Sequence, residues 1–280
     1  MKAAVLGFPV THSLSPVLHR AAYQALSLDN WCYTAIECDE ARLPGLMAEC
    51  GPDWAGLSLT MPLKRAVLGL LDHVEPLALD VGAANTVVFA DGARYGYNTD
   101  VPGMISALTE AGLPAPGSLL ASGAPPARVL ILGAGATACS ALAAVRGLGT
   151  RQVTVAVRDE RRAGRLLAAA DRLDVAVALA PFDPPGEAAP DLLISTAPAG
   201  AADLYAERIR RGGFVPGYVL DVVYHPWPTP LAAAAQQSGA VVAGGFSLLL
   251  HQAAEQVSLM TGLAAPVEAM RKAGLAALSG

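Results

Sequence analysis

The chain has 280 residues, 53% of them hydrophobic, and a formal net charge of -5 with no basic block, which argues against nucleic acid as a main partner. That length and apolar content allow a large core and suit two domains better than one. Gly, Pro or a charge interrupts every apolar run before it could span a bilayer, and Met-Lys-Ala-Ala-Val-Leu-Gly reads straight into a buried strand without a cleavage-type signal, so a cytoplasmic protein with no membrane partner is expected.

Short apolar β-type runs alternate with longer helical patterns, which predicts an α/β fold with mainly parallel sheets. Strands are predicted at Ala3–Gly7, Trp31–Glu37 and Ala55–Leu59, with a further pair at Asn85–Phe89 and Ala93–Tyr97. Helices are predicted at about Pro16–Leu26, Arg42–Glu49 and Leu63–Leu71. A helix over Val101–Ala111 leads into Gly112–Ala127, a Pro/Gly/Ser/Ala stretch without periodicity that reads as a connection. The alternation restarts with strands at Val129–Leu132, Val153–Val157, Leu192–Ser195, Val219–Val222 and Ala240–Ala243. Two closing helices, Ser247–Thr261 and Pro266–Ala277, exceed what the second unit needs and are expected to pack back onto the first. The expected division is a discontinuous first α/β domain, residues 1–102 and 246–280, and a Rossmann-type second domain, residues 103–245.

The four cysteines, Cys32, Cys38, Cys50 and Cys139, show no Cys-x-x-Cys pair and no histidine at metal spacing. Cys32 and Cys38 share parity and are expected to face one side of a strand as small core residues. His225 and His251 read as surface or packing residues, and no metal or Ser-His-Asp constellation can be argued.

The segment Val129-Leu-Ile-Leu-Gly133-Ala134-Gly135-Ala136-Thr-Ala138 reads as a buried strand, a tight turn and the start of an Ala-rich helix. Gly133 permits the turn, Gly135 lets the backbone approach a pyrophosphate, and Ala138 allows close helix-strand packing. The helix N-terminus then faces the phosphates. At the end of the next strand, Arg158, with Arg161 and Arg162 nearby, points to the extra phosphate of NADP. Asp159 pulls the other way, since it could repel that phosphate or hold a ribose, so NAD stays possible.

Three lysines stand against sixteen arginines, and one of the three, Lys64, follows a strand in Gly56-Leu-Ser-Leu-Thr-Met-Pro-Leu-Lys64. A chain that otherwise uses arginine keeps there the cation able to release its proton. Asp100, in Gly-Tyr-Asn-Thr-Asp100, is the matching carboxylate. Hydride delivery to a ketone needs a proton donor and the reverse reaction a base, roles that a carboxylate-held lysine can fill. Each has a structural alternative: Lys64 as a solvated residue of a first helical turn, Asp100 as an N-cap. Ser13 and Ser15, before Pro16, suit both a helix start and the holding of a carboxylate. Asn85 and Gln252 are polar within apolar runs, with a turn and an exposed helix face as their plainer readings.

Taken together these segments resemble the shikimate dehydrogenase family of shikimate and quinate dehydrogenases. The resemblance runs from Gly7-Phe-Pro-Val-Thr-His-Ser-Leu-Ser-Pro through Gly82-Ala-Ala-Asn-Thr, Gly96-Tyr-Asn-Thr-Asp and Asp221-Val-Val-Tyr-His-Pro-Trp-Pro-Thr-Pro-Leu to Leu249-Leu-His-Gln. It implies reversible NADP-dependent reduction of 3-dehydroshikimate to shikimate, with Lys64 and Asp100 as the catalytic pair. It also implies Ser13 and Ser15 on the substrate carboxylate, and Thr60, Asn85, Tyr224 and Gln252 around the rest of the substrate. Gly133, Ala134, Gly135, Ala136, Arg158, Val222 and Gly245 would touch the cofactor. The implied first domain binds substrate, the second NADP, in a monomer or homodimer. Quinate or an amino analogue is the alternative substrate, and a dinucleotide-binding regulator without turnover is a further alternative.

The chain departs from the family pattern at several places. Ser58-Leu59-Thr60 replaces Asn-Val-Thr, so a hydroxyl stands where an amide is usual. Ala136 replaces a glycine, Asp159 a threonine, and Leu248 a methionine, while Ser195-Thr-Ala-Pro-Ala-Gly200 stands for Asn-Ala-Thr-Pro-x-Gly.

Overall fold

Two six-stranded sheets organise the computed structural model, which describes residues 1–114, 125–183 and 188–279. The α/β class expected from the alternation holds. The chain divides into two compact units, one of Met1–Gly103 with Leu249–Gly280 and a second of Met104–Leu248.

The first unit runs β1 (Lys2–Gly7), α1 (Ser15–Ala25), β2 (Cys32–Glu37), α2 (Leu43–Glu49), β3 (Trp54–Leu59), α3 (Leu63–Ala66), β4 (His73–Val74), α4 (Pro76–Val81), β5 (Thr86–Ala90), β6 (Ala93–Tyr97) and the start of α5 (Asp100–Glu110). Its sheet has the order β2-β1-β3-β5-β6-β4, and only β5 runs against its neighbours. The central strands are buried along almost their whole length, Ala3 to Gly7 in β1 and Ala55 to Leu59 in β3, as parallel strands covered on both faces require. Asp91 and Gly92, both at positive φ (52° and 77°), turn β5 into β6 through the tight loop that matches strand twist.

The single helix expected over Leu63–Leu71 is a short α3 followed by a 3₁₀ turn, Val67–Leu70. Val67 and Gly69 are poor helix formers, and the tighter turn buries Val67 completely in the core beside Leu57 and Leu63. The helix α4, not expected from periodicity, depends on its ends: Glu75 accepts from the Leu77 N–H at 3.0 Å, and Gly82 terminates it at φ 70°. The expected pairing of Cys32 and Cys38 on one core face is corrected. Cys32 is exposed at the start of β2, an edge strand whose core side is taken by fully buried Tyr33, and Cys38 is buried just beyond the strand end.

The second unit runs β7 (Val129–Leu132), α6 (Ala136–Gly147), β8 (Gln152–Val157), α7 (Gly164–Arg172), β9 (Ala176–Pro181), β10 (Leu192–Ser195), α8 (Asp203–Arg210), β11 (Tyr218–Asp221), α9 (Pro230–Gln237), β12 (Val241–Gly244) and the first residues of α10 (Gly245–Thr261). All its strands are parallel, in the order β12-β11-β10-β7-β8-β9. That is the doubly wound Rossmann order, with its switch point between β7 and β10. Alanine-rich β9 carries no strong strand signal and forms by pairing with β8. Most of the expected Gly112–Ala127 connection, residues 115–124, lies outside the described residues.

The remainder of α10 and α11 (Val267–Ser279) belong to the first unit, where α11 packs against α1.

Candidate active site

In the first unit, three residues, Thr60 to Pro62, join β3 to α3, and the Ala84 N–H donates to the Lys64 carbonyl at 2.8 Å. This ties the lysine backbone to the loop that enters β5. The Lys64 Nζ lies 2.5 Å from Asp100 Oδ2, with the two side chains only 15% and 8% exposed, so Lys64 is not a solvated helix residue. Asp100 is the first residue of α5, and its Oδ1 accepts from Asn85 Nδ2 at 2.8 Å. The cap is elsewhere: Val101 N–H donates to Asn98 Oδ1 at 3.4 Å.

Asn85 is buried, and its orientation follows from a backbone group. The Thr99 N–H can only donate, and it meets Asn85 Oδ1 at 2.8 Å, so Nδ2 must face Asp100. Nδ2 also reaches Gln252 Oε1 at 3.4 Å. Gln252 is buried rather than on an exposed helix face, because α5 and α10 approach closely at Gly103. A Cβ there would sit 2.9 Å from the Gln252 Cβ and 3.0 Å from its backbone nitrogen. Thr60, half-buried, follows β3, its N–H donating to the Leu6 carbonyl at 2.9 Å. Ser13 Oγ accepts from the Ser15 N–H at 3.3 Å, and buried Ser15 opens α1 without a side-chain cap. Lys64, Asp100, Asn85 and Gln252 thus form one bonded cluster.

Residues not singled out as site residues extend that cluster. Tyr33 Oη donates to Ser58 Oγ at 2.6 Å, Ser58 Oγ to Gln256 Oε1 at 2.8 Å, and Gln256 Nε2 to Thr86 Oγ1 at 3.1 Å and the Asn85 carbonyl at 3.3 Å. Gln256 was within reach of helical periodicity, standing one turn after Gln252 on the same face of α10. The contributions of Tyr33 and Ser58 have no such local signal. His19 stacks on Tyr33 at 3.9 Å, pairs through Nδ1 with the Ser15 carbonyl at 2.9 Å, and is pushed down to about 4 by burial.

In the second unit, Gly133 ends β7 at φ 103°, a conformation that disfavours any side chain, and a Cβ there would meet Thr196 Oγ1 at 2.9 Å. Ala134 and Gly135 complete the turn, and Gly135 faces open space. Ala136 begins α6, and no side chain caps that helix, so its first N–H groups remain available to an anion. Arg158 is exposed just past β8. Asp159 accepts from the Arg161 N–H at 3.1 Å, from Nε at 2.9 Å and from Nη2 at 3.1 Å, and this pairing holds its carboxyl below the usual carboxylate range. Val222 and Tyr224 follow β11, in a loop anchored by Asp221, which accepts from Thr229 Oγ1 at 2.7 Å and the Val223 N–H at 3.2 Å. Burial pushes the Asp221 carboxyl and the Tyr224 phenol up. Gly245, at the start of α10, backs directly onto Val222, whose carbonyl oxygen leaves no room for a Cβ.

The family described as shikimate dehydrogenase substrate binding domain matches residues 5–87, and the shikimate 5'-dehydrogenase C-terminal domain matches residues 245–273. A shikimate dehydrogenase (NADP(+)) of Citrifermentans bemidjiense is 37% identical over 99% of this chain and 95% of its own length. The chain belongs to the shikimate dehydrogenase family. Among solved structures, the shikimate dehydrogenase of Mycobacterium tuberculosis superposes with a TM-score of 0.85 at 41% identity, covering 98% of this chain and 99% of that one. The Thermus thermophilus enzyme, solved with NADP(H) and shikimate, gives 0.82 at 34% identity over 99% of this chain and 100% of that one. Against the shikimate dehydrogenase pattern, the Ser58 hydroxyl does not act alone, since the Gln256 amide lies at bonding distance. Asp159 is likewise not a bare charge but is paired with Arg161.

Proposed function

We propose that this protein catalyses the reversible NADP-dependent reduction of 3-dehydroshikimate to shikimate. Family membership and the NADP(+)-dependent activity named for its relatives support the reaction class. The buried Lys64–Asp100 pair, 2.5 Å apart with Asn85 on the second carboxylate oxygen, is the observation that carries the mechanism. The open, uncapped start of α6 and the exposed Arg158 fit a dinucleotide with an extra phosphate.

When bound, the nicotinamide supplies or accepts the hydride. As negative charge builds on the substrate carbonyl oxygen, the Lys64 ammonium donates a proton to it, and Asp100 holds the ammonium in place. In the oxidation direction Lys64 takes the hydroxyl proton as hydride leaves. Ser13 and Ser15 hold the substrate carboxylate, while Thr60, Asn85, Tyr224 and Gln252 bind the ring hydroxyls or complete the carboxylate site. Gly133 to Ala136, Arg158, Val222 and Gly245 contact the cofactor. In this reading residues 1–102 with 246–280 bind substrate and residues 103–245 bind NADP. The working unit is a monomer or homodimer in the cytoplasm.

The test is turnover of shikimate with NADP by the purified protein, followed through NADPH absorbance, beside the same assay with quinate and with NAD. No turnover of shikimate overturns the assignment. Normal turnover by a folded Lys64→Ala variant overturns the role given to the pair.

A further inference from the structure

We propose that Gln256 is a positioning residue for the Lys64–Asp100 pair, acting through Thr86 and Asn85 rather than by touching substrate. The inference rests on the acid–base reading of that pair.

Two backbone groups fix the orientation of both amides in the string. The Asn85 carbonyl can only accept, so the Gln256 amide must turn Nε2 towards it, at 3.3 Å, and Oε1 away. Oε1 then needs a donor, which makes the Ser58 hydroxyl donate at 2.8 Å and leaves Tyr33 to donate to Ser58 at 2.6 Å. On the other side, Gln256 Nε2 donates to Thr86 Oγ1 at 3.1 Å, and the Thr86 proton is left for Asn85 Oδ1 at 2.9 Å or Thr99 Oγ1 at 3.3 Å. With the Thr99 N–H at 2.8 Å and its hydroxyl at 3.1 Å also on Oδ1, the Asn85 amide has one orientation, and its Nδ2 is held on Asp100. A single amide, 1% exposed, therefore decides where the Ser58 and Tyr33 protons point and occupies Thr86 Oγ1 as a donor. A buried string satisfied at every atom is stiff, and removing one member leaves the others to reorient or stay unpaired.

Two full-length variants test this. Gln256→Met keeps volume but removes both donor and acceptor. It is expected to lower kcat for shikimate oxidation about tenfold, since small misplacement of a reacting group carries costs of that order, while the KM for NADP stays unchanged. Gln256→Glu accepts but cannot donate while ionised, so the Thr86 proton swings to the new carboxylate and Asn85 Oδ1 keeps only its two Thr99 donors. Protonation restores the donor, so the ratio of variant to wild-type kcat should rise towards acid pH. The titratable groups facing the string are His19 on α1, Tyr33 on β2, Lys64 on α3 and Asp100 on α5. All are present in both proteins, so the ratio isolates residue 256. Thermal unfolding of each variant checks that it is folded at the assay temperature. If Lys64→Ala is inactive while both Gln256 variants keep kcat within twofold of wild type and parallel its pH profile, the positioning role is overturned and the acid–base reading survives. If Lys64→Ala turns over normally, that reading fails first.

Discussion

The chain contains two ion pairs at places where chemistry is expected, and they differ in almost everything but charge. Lys64–Asp100 is enclosed, with side chains 15% and 8% exposed, and both carboxylate oxygens are bonded. Arg161–Asp159 lies on the surface just past β8, with the Arg161 side chain 90% exposed. Exposed pairs contribute little to stability because water and salt screen them, whereas breaking an enclosed pair strands a charge. In the proposed mechanism the first holds a reacting group at one point, and the second adjusts the charge that a cofactor would meet on approach.

The strongest way to break that contrast is to remove one charge from the enclosed pair. Lys64→Met and Asp100→Asn are each expected to lower turnover by on the order of 10² to 10⁴, the usual contribution of a proton donor. Either change alone should also cost about 3 kcal/mol in denaturant unfolding, with the double variant recovering part of the stability and none of the activity. A double variant whose loss equals the sum of the two single losses would show the pair to be as uncoupled as a surface one.

The next effect concerns the aromatic packing beneath the site. His19 is pushed down to about 4 by burial, against 6.5 for an ordinary imidazole. Between those values the unfolded chain binds a proton that the folded chain refuses, so stability rises with pH across the window. The contribution is fully present above pH 6.5 and is lost as the pH falls to about 4. That loss amounts to roughly 3 kcal/mol, and His19→Gln should flatten this limb of the stability profile measured by urea titration.

A smaller change sharpens the role of helix approach. Gly103→Ala places a methyl 2.9 Å from the Gln252 Cβ, so it should cost about 1–3 kcal/mol from overpacking and raise the KM for shikimate more than that for NADP. Smallest of all, Asp159→Asn should leave the thermal midpoint unchanged and raise the preference for NADP over NAD severalfold, read from the two specificity constants. A large drop in midpoint would mean the surface pair holds the fold after all.

The same division explains what could be read along the chain. The turn at Gly133 was legible because one strand, one positive-φ glycine and one helix start lie within ten consecutive residues. Lys64 was legible through composition, as a rare lysine among arginines. The brace beneath the pair was not, since Tyr33, Ser58, Thr86 and Gln256 come from separate elements, with Ser58 and Gln256 198 residues apart. The parity argument for Cys32 and Cys38 failed for a related reason. Alternation along β2 carries no information on its being an edge strand or on where the strand stops.

Local sequence by itself determined the α/β alternation, the strand-turn-helix at Gly133 and the chemistry of the proposed acid–base pair, because propensity, backbone conformation and side-chain chemistry belong to single residues and their neighbours. Tertiary structure alone decided that Asp100 faces Lys64 instead of capping its helix, that Gln252 is buried, and that Gln256 stands beside Ser58. Hydrogen-bond direction is a property of pairs of groups, and those pairs exist only once distant strands and helices are packed to bonding distance.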